Sequence, residues 1–266
     1  MKIVRFEHAG RIHWGQWVEE GFALRIEGDL VGDYRVTDER LPIGRLLAPL
    51  VPTDILCIGL NYREHARESN SQVPEHPMLF IKASNALNNP FDPIAVPRLT
   101  SDVDYEGELA VVTGRAARHV PRERALDHVL GYTIANDVSA RDWQREKRLG
   151  GGQFARGKSF DGFCPLGPCL VTPDEVPDPN NLRLRTLLNG QVMQDHTTAD
   201  MIFDVPALIA SLSSTMTLRP GAVILTGTPQ GVGFARTPPV WLRPGDTIVV
   251  EIERLGRLEN PVGREA

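Results

Sequence analysis

Cysteine is scarce: three residues in 266, Cys57, Cys164 and Cys169, with no Cys-x-x-Cys spacing among them. An odd, scattered set supplies neither a disulfide framework nor a thiolate zinc cage, and it suits free thiols in a reducing cytoplasm. Apolar runs are short and interrupted, far below the ~20 residues that a membrane-crossing helix needs, so a helical span is excluded. The stretch Met1 to Phe6 carries charges among its apolar residues and lacks a secretory signal's apolar core, which favours a cytoplasmic protein. Basic runs are missing too. Lys and Arg total 29 against 34 Asp and Glu, a dispersed net charge of -5 that argues against nucleic acid as a partner. Glycine (24) and proline (21), by contrast, are plentiful along the whole chain, and so many turn formers favour short strands over a helical bundle. The expected class is α+β and β-rich.

Residues 1–52 read as a small N-terminal β-rich unit, with strand-like pieces over 2–8, 13–19 and 22–27 separated by glycine turns. A proline-bounded connector, 41–52, then leads to the main domain, 53–266. Within it, 55–60 reads as a buried strand that runs into a short helix capped by Asn61. Residues 69–77 form a polar loop long enough to act as a lid. Residues 138–149 have helical character, 150–157 read as a flexible glycine-rich approach to Lys158, and 203–212 read as a helix.

The chemistry concentrates in Asp104-Tyr105-Glu106-Gly107-Glu108-Leu109-Ala110-Val111-Val112. On a strand the side-chain period is two, so Glu106 and Glu108 share a face. Two like charges side by side are unfavourable without a cation between them. An exposed acidic edge strand is the alternative for an isolated Glu-x-Glu. Asp137, ending the strand-like run 131–137, supplies a third carboxylate, and three oxygen donors suit a hard divalent ion, Mg²⁺, Mn²⁺ or Ca²⁺. Such a site stays net negative, so an anionic substrate calls for a nearby cation. Arg141 and Lys158 are the candidates, unless each is a plain surface charge. His65 and Glu68, three apart on the short helix, share a face, and a carboxylate that fixes an imidazole tautomer makes a general base. The inverted zincin pattern fails because residue 69 is serine. The run 222–233 is a strand entering a glycine-rich turn that brings Thr228 and exposed amides toward a small anion, and it lacks the Lys-Ser/Thr of a phosphate loop.

These segments, taken in order, resemble the fumarylacetoacetate hydrolase family. The match runs through Asn61-Tyr62-Arg63-Glu64-His65, Tyr105-Glu106-Gly107-Glu108-Leu109, Asn136-Asp137-Val138-Ser139-Ala140-Arg141-Asp142, Gly157-Lys158-Ser159-Phe160-Asp161 and Leu225-Thr226-Gly227-Thr228-Pro229. The resemblance implies a mixed β-sandwich roll with a smaller, variable N-terminal domain, and a homodimer. It also implies Mg²⁺ or Mn²⁺ on Glu106, Glu108 and Asp137, a water-activating dyad of His65 and Glu68, and an active-site Lys158. Arg141, Gln144 and Thr228 match substrate-contacting positions. Asp161-Gly162 stands where some hydrolases of the family carry Gly-Thr, so contacts there are not carried over.

The activity so implied is hydrolysis of a C–C bond in a 2-oxo or 1,3-diketo acid, an acylpyruvate or fumarylacetoacetate-like anion of the kind met in aromatic catabolism. Oxaloacetate-type decarboxylation and hydroxymuconate-type isomerisation use the same enolate chemistry. The presence of both His65 and Glu68 favours hydrolysis or decarboxylation over a pure isomerase. A non-catalytic metal- or anion-binding protein is the competing class, and the lysine and the dyad speak against it.

Overall fold

The structure, a computed structural model, describes residues 1–265. Five strands open the chain: β1 (Lys2–His8), β2 (Arg11–Glu19), β3 (Phe22–Gly28), β4 (Tyr34–Pro42) and β5 (Arg45–Leu47). Next come β6 (Ile55–Gly59), the short helix α1 (Arg63–Glu68) and β7 (Met78–Lys82). Short strands β8 (Leu87–Asn88), β9 (Ile94–Val96) and β10 (Val103–Asp104) precede two long ones, β11 (Gly107–Thr113) and β12 (Val129–Asn136). Past β13 (Ser139–Ala140), helices α2 (Arg141–Arg145) and α3 (Phe154–Lys158) lead to β14 (Cys164–Val171). The chain closes through the hairpin of β15 (Arg183–Leu188) and β16 (Gln191–Thr197), helix α4 (Val205–Thr215), β17 (Val223–Leu225), β18 (Thr247–Ile252) and β19 (Gly256–Arg264).

Two mixed sheets face each other. The larger runs β4-β3-β2-β1-β14-β12-β11-β17-β6-β7, and the smaller runs β16-β15-β18-β19-β9. The N-terminal meander joins the large sheet through β1, where Lys2 and Ile3 pair with Val171 and Leu170 of β14. Strand β11 shows why the layers hold. Leu109 and Val111 point into one apolar cluster, shared with Leu184, Val250 and Ile252 of the small sheet. Ala110 and Val112 point into a second cluster on the opposite face. Every residue of β11 is buried, as expected of a strand covered on both sides. Each such aliphatic side chain removed from water contributes about 1.5–3 kcal/mol before chain entropy is counted. Cys57, Cys164 and Cys169 are free and lie inside these clusters. No helix among the described residues is long and apolar enough to cross a membrane.

Topology brings functional segments to one end of the large sheet. β12 and β17 run antiparallel to β11, and β6 runs parallel to β17. The start of β11 therefore meets the ends of β12, β17 and β6, together with the start of β7, which pairs Met78 with Gly59.

Three local expectations change. Asn61 does not cap α1: its amide donates to Phe203 O (2.9 Å) and Thr226 O (2.7 Å), tying the helix entry to two distant segments. Residues 138–149 divide into a bridge strand and a five-residue helix, because Ser139 and Ala140 pair with Asp104 and Val103. The approach to Lys158 is not a loop throughout but winds into α3. Helix α4 begins at Val205, after Asp204, whose carboxylate accepts from Ala207 N at 2.9 Å.

Gly107, between the two glutamates, has to be glycine for a steric reason: a Cβ there would lie 2.3 Å from Thr186 Oγ1 and 3.0 Å from Val250 Cγ1. Gly107→Ala is expected to lose about 1–3 kcal/mol of stability through overpacking, measured as a lower midpoint in urea at unchanged slope.

Candidate active site

Glu106, Glu108 and Asp137 present carboxylate oxygens that all lie within 4.8 Å of one another, and all three are buried. Backbone pairing sets this up. Asp137 N donates to Glu106 O (2.8 Å), and Glu106 N donates to the Asn136 side chain (3.0 Å), so the β11 entry and the β12 exit are locked in register. The strand reading from sequence holds for Glu108; Glu106 lies one residue before the strand proper.

Three cations are packed against this cluster. Lys158 Nζ donates to Glu106 Oε2 and Asp137 Oδ2, both at 2.5 Å. Arg141 donates to Glu106 Oε1 (2.5 Å) through one terminal nitrogen and to Asp104 Oδ2 (2.8 Å) through Nε. Lys82 donates to Asp137 Oδ1 (2.6 Å) and to Val138 O (3.0 Å). Neither Arg141 nor Lys158 is a surface charge; both are buried.

Burial opposes ionisation of Glu106, but the charges of Arg141 and Lys158 win and hold its carboxyl far below the usual range. Burial likewise disfavours charged Lys158, and Asp137 and Glu106 more than reverse that, so its ammonium persists. Glu108 is the exception. Among the described residues it forms no ion pair and accepts only Gly227 N, at 2.7 Å. Burial first, then the Asp137 and Glu106 carboxylates, push the Glu108 carboxyl well above the usual range. Four buried carboxyl groups (with Asp104) thus share three buried cations, leaving Glu108 without a cationic partner. An all-oxygen, buried donor set with one carboxyl that no protein cation pairs fits a hard divalent cation, which would displace that proton.

The site opens into a cavity of about 180 Å³ lined by His65, Glu106, Glu108, Arg141, Gln144 and Lys158, with apolar walls from β6, β7 and α3. His65 Nδ1 lies 3.1 Å from Glu68 Oε2. With Nδ1 as the donor, Nε2 is left as the basic nitrogen. Gln144 accepts from Arg141 (3.0 Å) through its oxygen, and its NH₂ has no partner among the described residues. Thr228 lines the cavity, but its hydroxyl donates to Gly107 O (3.0 Å) and accepts from Gln194 (2.8 Å), so it braces the β11 entry.

The glycine-rich turn after β17 holds the pieces together through its amides. Gly227 N donates to Glu108, Gly231 N to Glu68 Oε1 (2.9 Å), and Gly233 N to Asp104 (2.7 Å). Gly227 has φ +95°, and a Cβ there would lie 2.8 Å from Asn61 Cβ, so the turn closes only with glycine. The exposed amides expected from sequence are therefore spent on site carboxylates.

Sequence reasoning missed Lys82 and Asp104. Asp104 had a signal, since it precedes Glu106 by two residues. Lys82 had none, because it arrives from β7 across the sheet. Phe234 was also unforeseen: its ring packs edge-on to His65 (6.3 Å between centroids) and under the Arg141 guanidinium (4.5 Å).

Buried oxygen ligands, a paired histidine and a small cavity with cationic walls define an enzyme site for a small organic acid. Residues 54–263 match the model described as fumarylacetoacetate (FAA) hydrolase C-terminal, and residues 1–49 match one described as Rv2993c-like, N-terminal. The chain belongs to the fumarylacetoacetate hydrolase family. It is 50% identical to a mitochondrial oxaloacetate tautomerase of Xenopus laevis over 82% of this chain and 68% of that protein. A human mitochondrial oxaloacetate tautomerase is 48% identical over 81% of this chain and 68% of its own length. Among solved structures, a 5-carboxymethyl-2-hydroxymuconate delta-isomerase from Mycobacterium smegmatis superposes with TM-score 0.88 at 39% identity, covering 100% of both chains. A fumarylacetoacetate hydrolase from Exiguobacterium antarcticum does so with TM-score 0.88 at 41% identity, again over 100% of both chains.

The raised Glu108 carboxyl has a consequence for the metal-free protein. As pH rises past the ordinary carboxylate range, the unfolded chain loses this proton while the native state keeps it, so native stability falls. Glu108→Gln removes that loss. In chelator, the variant is expected to be more stable than wild type at neutral pH, with the difference vanishing as pH falls below the usual carboxylate range. Denaturation across pH measures it.

Proposed function

We propose that the chain is a divalent-metal-dependent enzyme of enol chemistry, interconverting the keto and enol forms of a 2-oxo acid of the oxaloacetate type. One observation carries this reading: His65, paired with Glu68, lines the same small cavity as Glu106 and Glu108 of the buried oxygen cluster. The high identity to proteins named oxaloacetate tautomerase supports the choice of reaction.

Glu106, Glu108 and Asp137 would hold Mg²⁺ or Mn²⁺, which supplies a Lewis acid for the oxygens of a 2-oxo acid. The residues of the chain do the rest. Arg141 and Lys158 fix the ligand carboxylates and limit the negative charge met by an anionic substrate. His65 Nε2 takes the proton from the carbon next to the 2-oxo group. The C–H electron pair moves into the new C=C bond, the carbonyl π pair moves onto oxygen, and the imidazolium, steadied by Glu68, returns the proton to that enolate oxygen to give the enol.

A second reading, C–C hydrolysis of an acylpyruvate, is favoured by the same Glu68–His65 contact, since a free Nε2 also activates water. An ultraviolet assay separates them. Enol absorbance of oxaloacetate is expected to relax faster with enzyme and Mg²⁺ or Mn²⁺, without pyruvate release, and chelator should abolish the effect. Pyruvate released from acetylpyruvate or fumarylpyruvate would establish the hydrolase, and pyruvate from oxaloacetate the decarboxylase. His65→Ala is expected to lose about 10²–10⁴-fold in kcat while calorimetric metal binding is retained. Comparable turnover in that variant removes His65 from its role.

A further inference from the structure

Three cations line the cavity, and two of them are already spent: Lys158 on Glu106 and Asp137, Arg141 on Glu106 and Asp104. The third is Arg145. It follows Arg141 by four residues on α2, so the two side chains lie on one helix face. Arg145 is exposed at the rim and forms no ion pair among the described residues. The acidic residue beside it, Glu146, pairs instead with Arg148 at 2.5 Å.

Arg145 is nevertheless held in place. Its guanidinium carbon lies 4.8 Å from the centroid of Phe234, the ring that also takes Arg141 at 4.5 Å. Phe234 is itself tied down, its N–H donating to Asp104 Oδ2 at 3.1 Å. A ring face orients a guanidinium without neutralising it. The result is a positioned fork of donors at the mouth of a cavity whose inner end takes the 2-oxo acid group. A planar guanidinium with free donors is matched to a carboxylate. The same cavity is lined by the apolar side chains Ile58, Met78, Phe80 and Phe154, suited to a short carbon chain.

We infer that Arg145 binds the distal carboxylate of the substrate, making the site selective for 2-oxo dicarboxylates over their monocarboxylate counterparts. This rests on the reading of the cavity as a 2-oxo acid site. Arg145 sets specificity and takes no part in proton transfer, so its loss acts on KM for diacids.

The test uses the Mg²⁺-loaded full chain and unreactive 2-hydroxy acids sharing one head group: lactate as the monocarboxylate, malate and 2-hydroxyglutarate as diacids. Calorimetry is expected to show wild type binding at least one diacid more tightly than lactate. Arg145→Met should cut that preference about tenfold, the size of one charge-assisted contact, with the lactate affinity held. Arg145→Lys should keep part of it. Arg148→Met, a neighbouring charge already paired with Glu146, should leave it unchanged, which separates a local contact from net charge. On oxaloacetate, Arg145→Met should raise KM with kcat held. Equal weakening of lactate and diacids, no change in either, an equal effect from Arg148→Met, or binding of neither class by wild type overturns the proposal. Oxaloacetate turnover with KM unmoved by Arg145→Met sinks it while leaving the tautomerase reading intact. A diacid preference that depends on Arg145, in a protein that does not turn over oxaloacetate, keeps the proposal and discards the tautomerase.

Discussion

The imbalance of four buried carboxylates against three buried cations is the constraint on which the rest of this protein depends. Taking charges out of water is costly, and such a cluster persists only if nearly every oxygen has a donor. Lys158 and Lys82 each take one oxygen of Asp137, while Lys158 and Arg141 divide the oxygens of Glu106. Only Glu108 lacks a cation. The same arrangement that makes the interior expensive makes it a receptor for one more positive charge.

The price is met by topology. Four chain segments, around Lys82, Asp104 to Glu108, Asp137 to Arg141 and Lys158, deliver these groups, and they meet at one end of one sheet because β11 is antiparallel to β12 and β17 while β17 is parallel to β6. The turn that follows β17 then acts as a clasp. Its amides reach a metal-ligand candidate (Glu108), the carboxylate that orients the histidine (Glu68) and the carboxylate that orients the arginine (Asp104). Base, oxygen cluster and cationic wall are thereby fixed relative to one another by a single short segment. Its aromatic residue, Phe234, adds contacts to His65, Arg141 and Arg145.

This economy bears on how one framework serves several reactions. Tautomerisation, decarboxylation and C–C hydrolysis all need an enol or enolate stabilised beside a base. The invariant demand falls on the buried cluster and the dyad. On the reading proposed above, selectivity falls on the rim, where Arg145 and the apolar walls would meet whatever extends beyond the 2-oxo acid head. Core and rim are physically separable because the three core cations are all paired with carboxylates and Arg145 at the rim is not.

The shared face of the paired glutamates and the helical His65–Glu68 spacing were legible in the chain because each rests on a local period of two or about 3.6 residues, the β-rich class because turn formers are so frequent, and the third carboxylate because Asp137 ends a strand-like run. Motif order made the family legible as well. The sequence could not tell that Asn61 braces two distant segments instead of capping its own helix, or that the glycine-turn amides face carboxylates and not a ligand. Nor could it tell that Arg141 is buried while Arg145, four residues on, stays free. Those outcomes depend on which segments meet across the sheet, as does the arrival of Lys82 at Asp137. Local spacing determined which residues were able to act together; tertiary pairing alone decided which charges are neutralised, and so which remain to bind something else.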